Sequence, residues 1–127
     1  GYPGQVRFVS RQVLQVVDSL LANSETPPVI ILQADHGPGS GLDWSSPYST
    51  CLWERTSILN AYYLPGIDPA VLYPTITPVN TFRVVLNGYF GTDLPLLPDE
   101  NTYFTSHRMP RQEIDISDRR ASRDNCD

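Results

Sequence analysis

Apolar residues near the start of the chain fall at steps of three and four. Val6, Val9, Val13, Val16, Val17, Leu20 and Leu21 share one helical face, with Arg7, Arg11, Gln12, Gln15 and Asp18 largely between them. Pro3 and Gly4 precede the pattern, and Asn23, Ser24 and the pair Pro27-Pro28 close it, so the spacing predicts a helix over residues 5–22. The pattern then changes. Residues 29–34 (VIILQA) form a continuous apolar run rich in β-branched side chains, too short for a helix after two prolines. Such a run reads as a strand covered on both faces, the habit of parallel sheets. A helix leading straight into it suggests an α/β layer, with Val9, Val13, Val17 and Leu20 packed on the strand.

Downstream the elements are shorter. Residues 38–50 are a loop rich in Gly, Ser and Pro, and 57–64 (SILNAYYL) read as a second strand stopped by Pro65-Gly66. Thr77 is a good N-cap and Pro78 suits a first helical turn, while Val79, Phe82, Leu86 and Tyr89 form an apolar stripe that Gly91 can end. Residues 92–101 read as loop and 102–105 as a short strand. From residue 109 the composition shifts: residues 110–127 hold four Arg and five acidic residues, with Ile114 and Ile116 the only large apolar groups. A mobile or weakly attached charged tail over 109–127 is expected, behind a folded portion over 1–108.

Composition narrows the function classes. The chain has 127 residues, 40% of them apolar, enough for one modest domain, and twelve prolines that argue against a long helical bundle. The net charge is −5, all nine basic residues are Arg, and no basic run occurs, which argues against a nucleic-acid partner. No apolar stretch approaches the roughly 18 residues of a spanning helix. Cys51 and Cys126 lack metal-type spacing; they are candidates for a bridge in an oxidising compartment, but two unrelated thiols is the favoured reading.

One tripeptide carries chemistry. Asp35-His36-Gly37 follows the apolar strand directly, where α/β sheets place their ligands. Where a strand ends and the backbone turns, adjacent side chains can face one centre, and Gly37 allows the turn. A carboxylate with an imidazole is half of a ligand set for Zn²⁺ or Mn²⁺, and two more donors would complete it. The competing reading is an ordinary Asx turn with a half-exposed His. His107, in a Ser-His-Arg-Met-Pro loop, is a weaker candidate ligand for which a surface role is favoured. Glu54 and Arg55 read as a structural salt bridge rather than as a pair that orients a substrate, and Trp44, Trp53, Tyr62, Tyr63 and Tyr73 as packing residues rather than a binding box.

The segment from Ile30 to Gly39 (IILQADHGPG), with the helix before it, resembles the carboxyl-terminal part of sulfatase-like proteins of the alkaline phosphatase superfamily. Residues 54–66 (ERTSILNAYYLPG) and 72–91 (LYPTITPVNTFRVVLNGYFG) resemble a bacterial branch described as sulfatase or phosphoglycerol transferase-like. The resemblance spans about residues 5–105. It implies an α/β fragment of a three-layer alkaline phosphatase-like fold, with a mostly parallel sheet flanked by helices. It further implies that Asp35 and His36 ligate a divalent metal ion (Mn, Zn, Ca or Mg) that also holds the nucleophile. That nucleophile, a Thr, Ser or formylglycine, is expected upstream with the first acidic ligand, in an amino-terminal part of the same domain, so no catalytic nucleophile is assigned within these residues. The implied substrate is a sulfate or phosphate ester, with the absence of Lys favouring the phosphate ester, and the implied parent is membrane-anchored with its catalytic domain outside the cytoplasm. The alternative is a non-catalytic structural or interaction module derived from the same fold.

Overall fold

The computed structural model describes residues 1–106 and 110–126. In chain order it contains α1 (Tyr2–Asn23), β1 (Ile30–Gln33), α2 (Leu52–Thr56), β2 (Asn60–Tyr63), α3 (Pro78–Phe90), β3 (Thr102–Phe104) and β4 (Glu113–Asp115), with single 3₁₀ turns at Pro47–Ser49, Pro69–Val71 and Ser117–Arg119. Among the described residues no helix is long and apolar enough to cross a membrane.

The expected parallel sheet is not found among the described residues. β1 pairs antiparallel with β2, in the register Ile30 opposite Tyr63 and Gln33 opposite Asn60. β3 pairs antiparallel with β4, and the two ribbons are separate sheets. The partial three-layer alkaline phosphatase-like architecture is therefore corrected to three helices and two small antiparallel ribbons. The connection between β1 and β2 explains the direction. A parallel crossover must carry the chain back to the start of its strand, usually with a full helix. Here the only α-helix between the strands is the five-residue α2. The chain re-enters beside the point where it left, and the Ala34 amide donates to the Leu59 carbonyl at 2.9 Å. Of the run read as covered on both faces, Val29 is exposed, Ile30 is buried and Ile31 to Ala34 are half-buried.

The α1 prediction gave nearly the right span but the wrong surroundings. The Ser24 amide closes the helix on the Leu20 carbonyl at 3.1 Å, and the Asn23 side chain bonds the Ser19 carbonyl at 2.8 Å. No α1 residue is buried: Val13 and Val17 are half-covered, and Val9 and Leu20 are exposed. The expected packing of this helix on the 29–34 strand is therefore corrected as well. A 22-residue helix is about 33 Å long, whereas a four-residue strand spans about 13 Å. A two-stranded ribbon of that length cannot cover such a stripe.

The apolar core lies instead around α2 and the second ribbon. Leu52, Tyr103 and Ile116 are buried together, with Leu42 and Ile114 packed against them. The charged segment expected as a mobile tail supplies β4 and Ile116. The Ile116 amide donates to the Asn101 carbonyl at 2.9 Å, and the Trp53 amide to the Ser122 carbonyl at 3.0 Å. Cys126 forms a disulfide with Cys51, with Cα atoms 4.8 Å apart, which corrects the reading of two unrelated thiols. The bond joins the residue before α2 to the end of the described chain.

α3 has the predicted ends, with Thr77 at its N-cap and Gly91 at φ 64° just past it. Yet Val79, Phe82 and Leu86 are exposed, and Asn80, Thr81 and Val85 are buried. Hydrogen bonds decide which face turns inward. The Asn80 amide group donates to the Leu97 carbonyl at 2.7 Å and to Asp99 Oδ1 at 2.9 Å, while its oxygen accepts from the Leu97 amide at 2.9 Å. Two turns on, Asn87 bonds both backbone groups of Leu94, at 2.8 and 2.9 Å. Asn80 and Asn87 thus satisfy the backbone of a proline-interrupted segment that could not join a sheet.

Asp99 closes this clamp. Burial opposes its charge, but bonds from the Tyr73 hydroxyl, the Thr77 amide and Asn80 outweigh that and hold its pKa below the ordinary 3.8. A carboxylate with a depressed folded pKa adds stability above its unfolded value and loses it as pH falls through the folded one. Asn80→Ala, which strands the Leu97 amide and carbonyl, is expected to cost about 3 kcal/mol in urea unfolding. The penalty should be largest above about pH 4 and shrink below it; a loss under about 1 kcal/mol, or one independent of pH, would contradict the clamp.

Candidate functional site

The site is built on the turn that follows β1. Asp35 Oδ1 accepts from the amide of His36 at 3.0 Å, and the amide of Gly37 donates to the Arg55 carbonyl at 2.8 Å. Gly37 is buried against the end of α2, and a Cβ there would lie inside contact distance of the Glu54 and Ser57 carbonyls. The need for glycine is therefore spatial: the turn docks directly on the α2 backbone. Sheet polarity does not position the site, because the neighbour of β1 among the described residues is the antiparallel β2.

α2 holds the loop on both sides with its two charged residues. Glu54 accepts from the Ser40 hydroxyl and from the Gly41 amide at 3.0 Å, bonds that lower its pKa below the ordinary carboxylate value. Arg55 turns the other way. Its Nη1 lies 2.7 Å from His36 Nδ1 and 3.1 Å from the Gly37 carbonyl oxygen, and its guanidinium stands 6.0 Å from the Trp44 ring centroid. The expected Glu54–Arg55 salt bridge is replaced by these separate partners.

Asp35 and His36, the two sequence-derived ligand candidates, are brought together. His36 Nε2 is 3.4 Å from Asp35 Oδ2, and both side chains reach solvent, with relative exposures of 51% for His36 and 86% for Asp35. Two donors at about 2.0–2.1 Å from a tetrahedral Zn²⁺ sit about 3.4 Å apart. The pair therefore has the spacing of two neighbouring corners of such a site, and one nitrogen plus one carboxylate oxygen is a chemically suitable half-set. Among the described residues no group of three or more His, Cys, Asp and Glu could hold a metal ion. His107 lies outside the described residues.

The pair borders an open cleft of about 750 Å³ whose lining includes Asp35, His36, Trp44, Trp53, Arg55 and Arg120. Trp44 and Trp53, read from the sequence as packing residues, are 50% and 42% exposed there. Arg123 stacks on Trp53 at 4.5 Å from its centroid. In a chain of net charge −5, Arg55 and Arg120 both line the cleft, a setting that favours an anionic group. Sequence reasoning missed the Arg55–His36 contact, since nothing local links residues 19 apart. No family model, curated protein or solved structure matches the chain.

Proposed function

We propose that this chain is part of a metal-dependent hydrolase or transferase acting on sulfate or phosphate esters, in which Asp35 and His36 provide two ligands of one divalent metal ion. The observation that carries the reading is the convergence of a carboxylate oxygen and an imidazole nitrogen to 3.4 Å at the mouth of an arginine-bordered cleft. The resemblance of the Asp-His-Gly segment and the two downstream motifs to sulfatase-like proteins supports the same chemistry. The nucleophile and the remaining ligands come from outside these residues. A divalent ion held there would supply charge neutralisation at the ester oxygens and a lowered pKa for the nucleophile. Within this chain Asp35 and His36 ligate, Gly37 and the Arg55 carbonyl fix the turn, and the arginines at the cleft attract the anionic ester. The Cys51–Cys126 bridge belongs to oxidising surroundings, which supports a catalytic domain outside the cytoplasm.

The test is zinc binding by the 127-residue chain, followed by calorimetry. One weak, saturable site is expected, because two ligands lack the preorganisation of a complete set. Asp35→Ala and His36→Ala should each abolish it, and none of the three proteins should turn over a generic phosphodiester. Zinc binding that survives both substitutions would remove the ligand assignment and leave the non-catalytic module as the better reading.

A further inference from the structure

The His36 ring has two neighbours at its Nδ1 that place opposite demands on it. The Gly37 carbonyl oxygen, 2.9 Å away, can only accept a proton, whereas Arg55 Nη1, 2.7 Å away, can only donate one. A neutral imidazole cannot satisfy both. The guanidinium remains protonated in proteins and its Nη1 carries two hydrogens, which suits the two acceptors in front of it: His36 Nδ1 at 2.7 Å and the Gly37 oxygen at 3.1 Å. With both bonds made, Nδ1 must offer its lone pair and the ring proton must sit on Nε2, the nitrogen that faces Asp35.

We infer that Arg55 is a positioning residue that fixes neutral His36 in the Nε2–H tautomer. The consequence for metal binding rests on the proposed ligand role of His36. A cation shared with Asp35 needs the Nε2 lone pair, so Arg55 holds the site in a closed form. Opening it requires Arg55 to leave Nδ1, the ring proton to leave Nε2 for solvent, and a proton to take up Nδ1. There the Gly37 carbonyl accepts it, in the second-shell bond that metal-bound histidines commonly make. Arg55 can move to the cleft it already lines, where an anionic ester oxygen would give its guanidinium a stronger partner than an imidazole nitrogen. Substrate arrival and ligand availability are thereby coupled through one side chain.

The experiment is long-range ¹H–¹⁵N correlation spectroscopy of the labelled full chain, at a pH where imidazole is neutral, with zinc affinity measured on the same samples. The wild-type His36 ring should show a protonated Nε2 and a lone pair on Nδ1. Arg55→Met, which lacks a donor, should reverse the two and bind zinc roughly tenfold more tightly, the lower end of second-shell effects. Arg55→Lys, which restores a donor, should restore the wild-type tautomer. A wild-type ring protonated on Nδ1, or an unchanged tautomer in Arg55→Met, would overturn the inference; the wild-type spectrum decides even if the Met variant does not fold. A tautomer exchange with no zinc bound by any variant would support the role of Arg55 while removing the metal reading. Zinc binding at Asp35 and His36 with no exchange would do the reverse.

Discussion

Replacing Cys51 and Cys126 together with Ser is expected to lower the unfolding free energy by about 4 kcal/mol. The cross-link spans a sequence separation of 75, and chain-entropy reasoning assigns a closed loop of that size about 4 kcal/mol. The loss matters because the apolar core is small, centred on Leu52, Tyr103 and Ile116. The bridge acts beside it, immediately before Leu52 and three residues before Glu54. Without it, the last segment is kept by the pairing of β4 with β3, the burial of Ile116 and side-chain bonds such as Thr56 Oγ1 to the Arg120 carbonyl at 2.8 Å and the Asn125 amide group to the Tyr48 carbonyl at 2.9 Å. Denaturant unfolding of the wild-type chain in a thiol reductant should match that of the double variant. A difference between oxidised chain and variant below about 1 kcal/mol would fall outside the range usual for native disulfides and would contradict a constraint at this position.

Gly37→Ala is the second large effect. The new Cβ would be driven against two backbone carbonyls, those of Glu54 and Ser57, and neither can rotate away as a side chain could. Overpacking of this kind costs about 3 kcal/mol at the upper end of its usual range. The substitution should also break the bond from the Gly37 amide to the Arg55 carbonyl and displace His36 from Arg55. Gly39→Ala is the control: a Cβ there meets its neighbours at 3.6 Å and beyond, ordinary van der Waals contact, and should change stability by less than about 0.5 kcal/mol. Equal stability of the two variants would mean that the turn does not dock on α2 as described.

Local structure was legible in the sequence where neighbouring residues decide it. The 3.6-residue spacing and the prolines marked α1, and Thr77-Pro78 and Gly91 marked both ends of α3. β1, β2 and β3 also lie within the stretches read as strands, whereas β4 falls in the segment read as a tail. Their pairing was not legible, because direction depends on how residues 34–59 return, and a continuous apolar run is compatible with either partner. The stripe on α3 misled for a related reason: which face turns inward is set by Asn80 and Asn87 bonding a segment up to 19 residues away. Two cysteines 75 residues apart carried no signal of their pairing, and the tail looked detachable because its two large apolar residues, Ile114 and Ile116, find their partners only through β3 and α2. At the site, Asp35 and His36 were found because they are adjacent in the chain. Arg55 was read as a salt-bridge partner of Glu54, because its contact with His36 exists only once Gly37 docks on α2.

Asp35 and His36 must act as one ligand pair for this chain to hold a metal ion as proposed. The most direct test is a zinc titration of the ¹³C,¹⁵N-labelled chain that follows the Asp35 carboxyl carbon and His36 Nε2 in the same spectra. Both signals should shift together along a single saturation curve, and Asp35→Ala should remove the response of His36. If His36 responds identically in Asp35→Ala, or if other carboxylates saturate before Asp35, the pair is a turn with a half-exposed histidine and the metal reading is wrong.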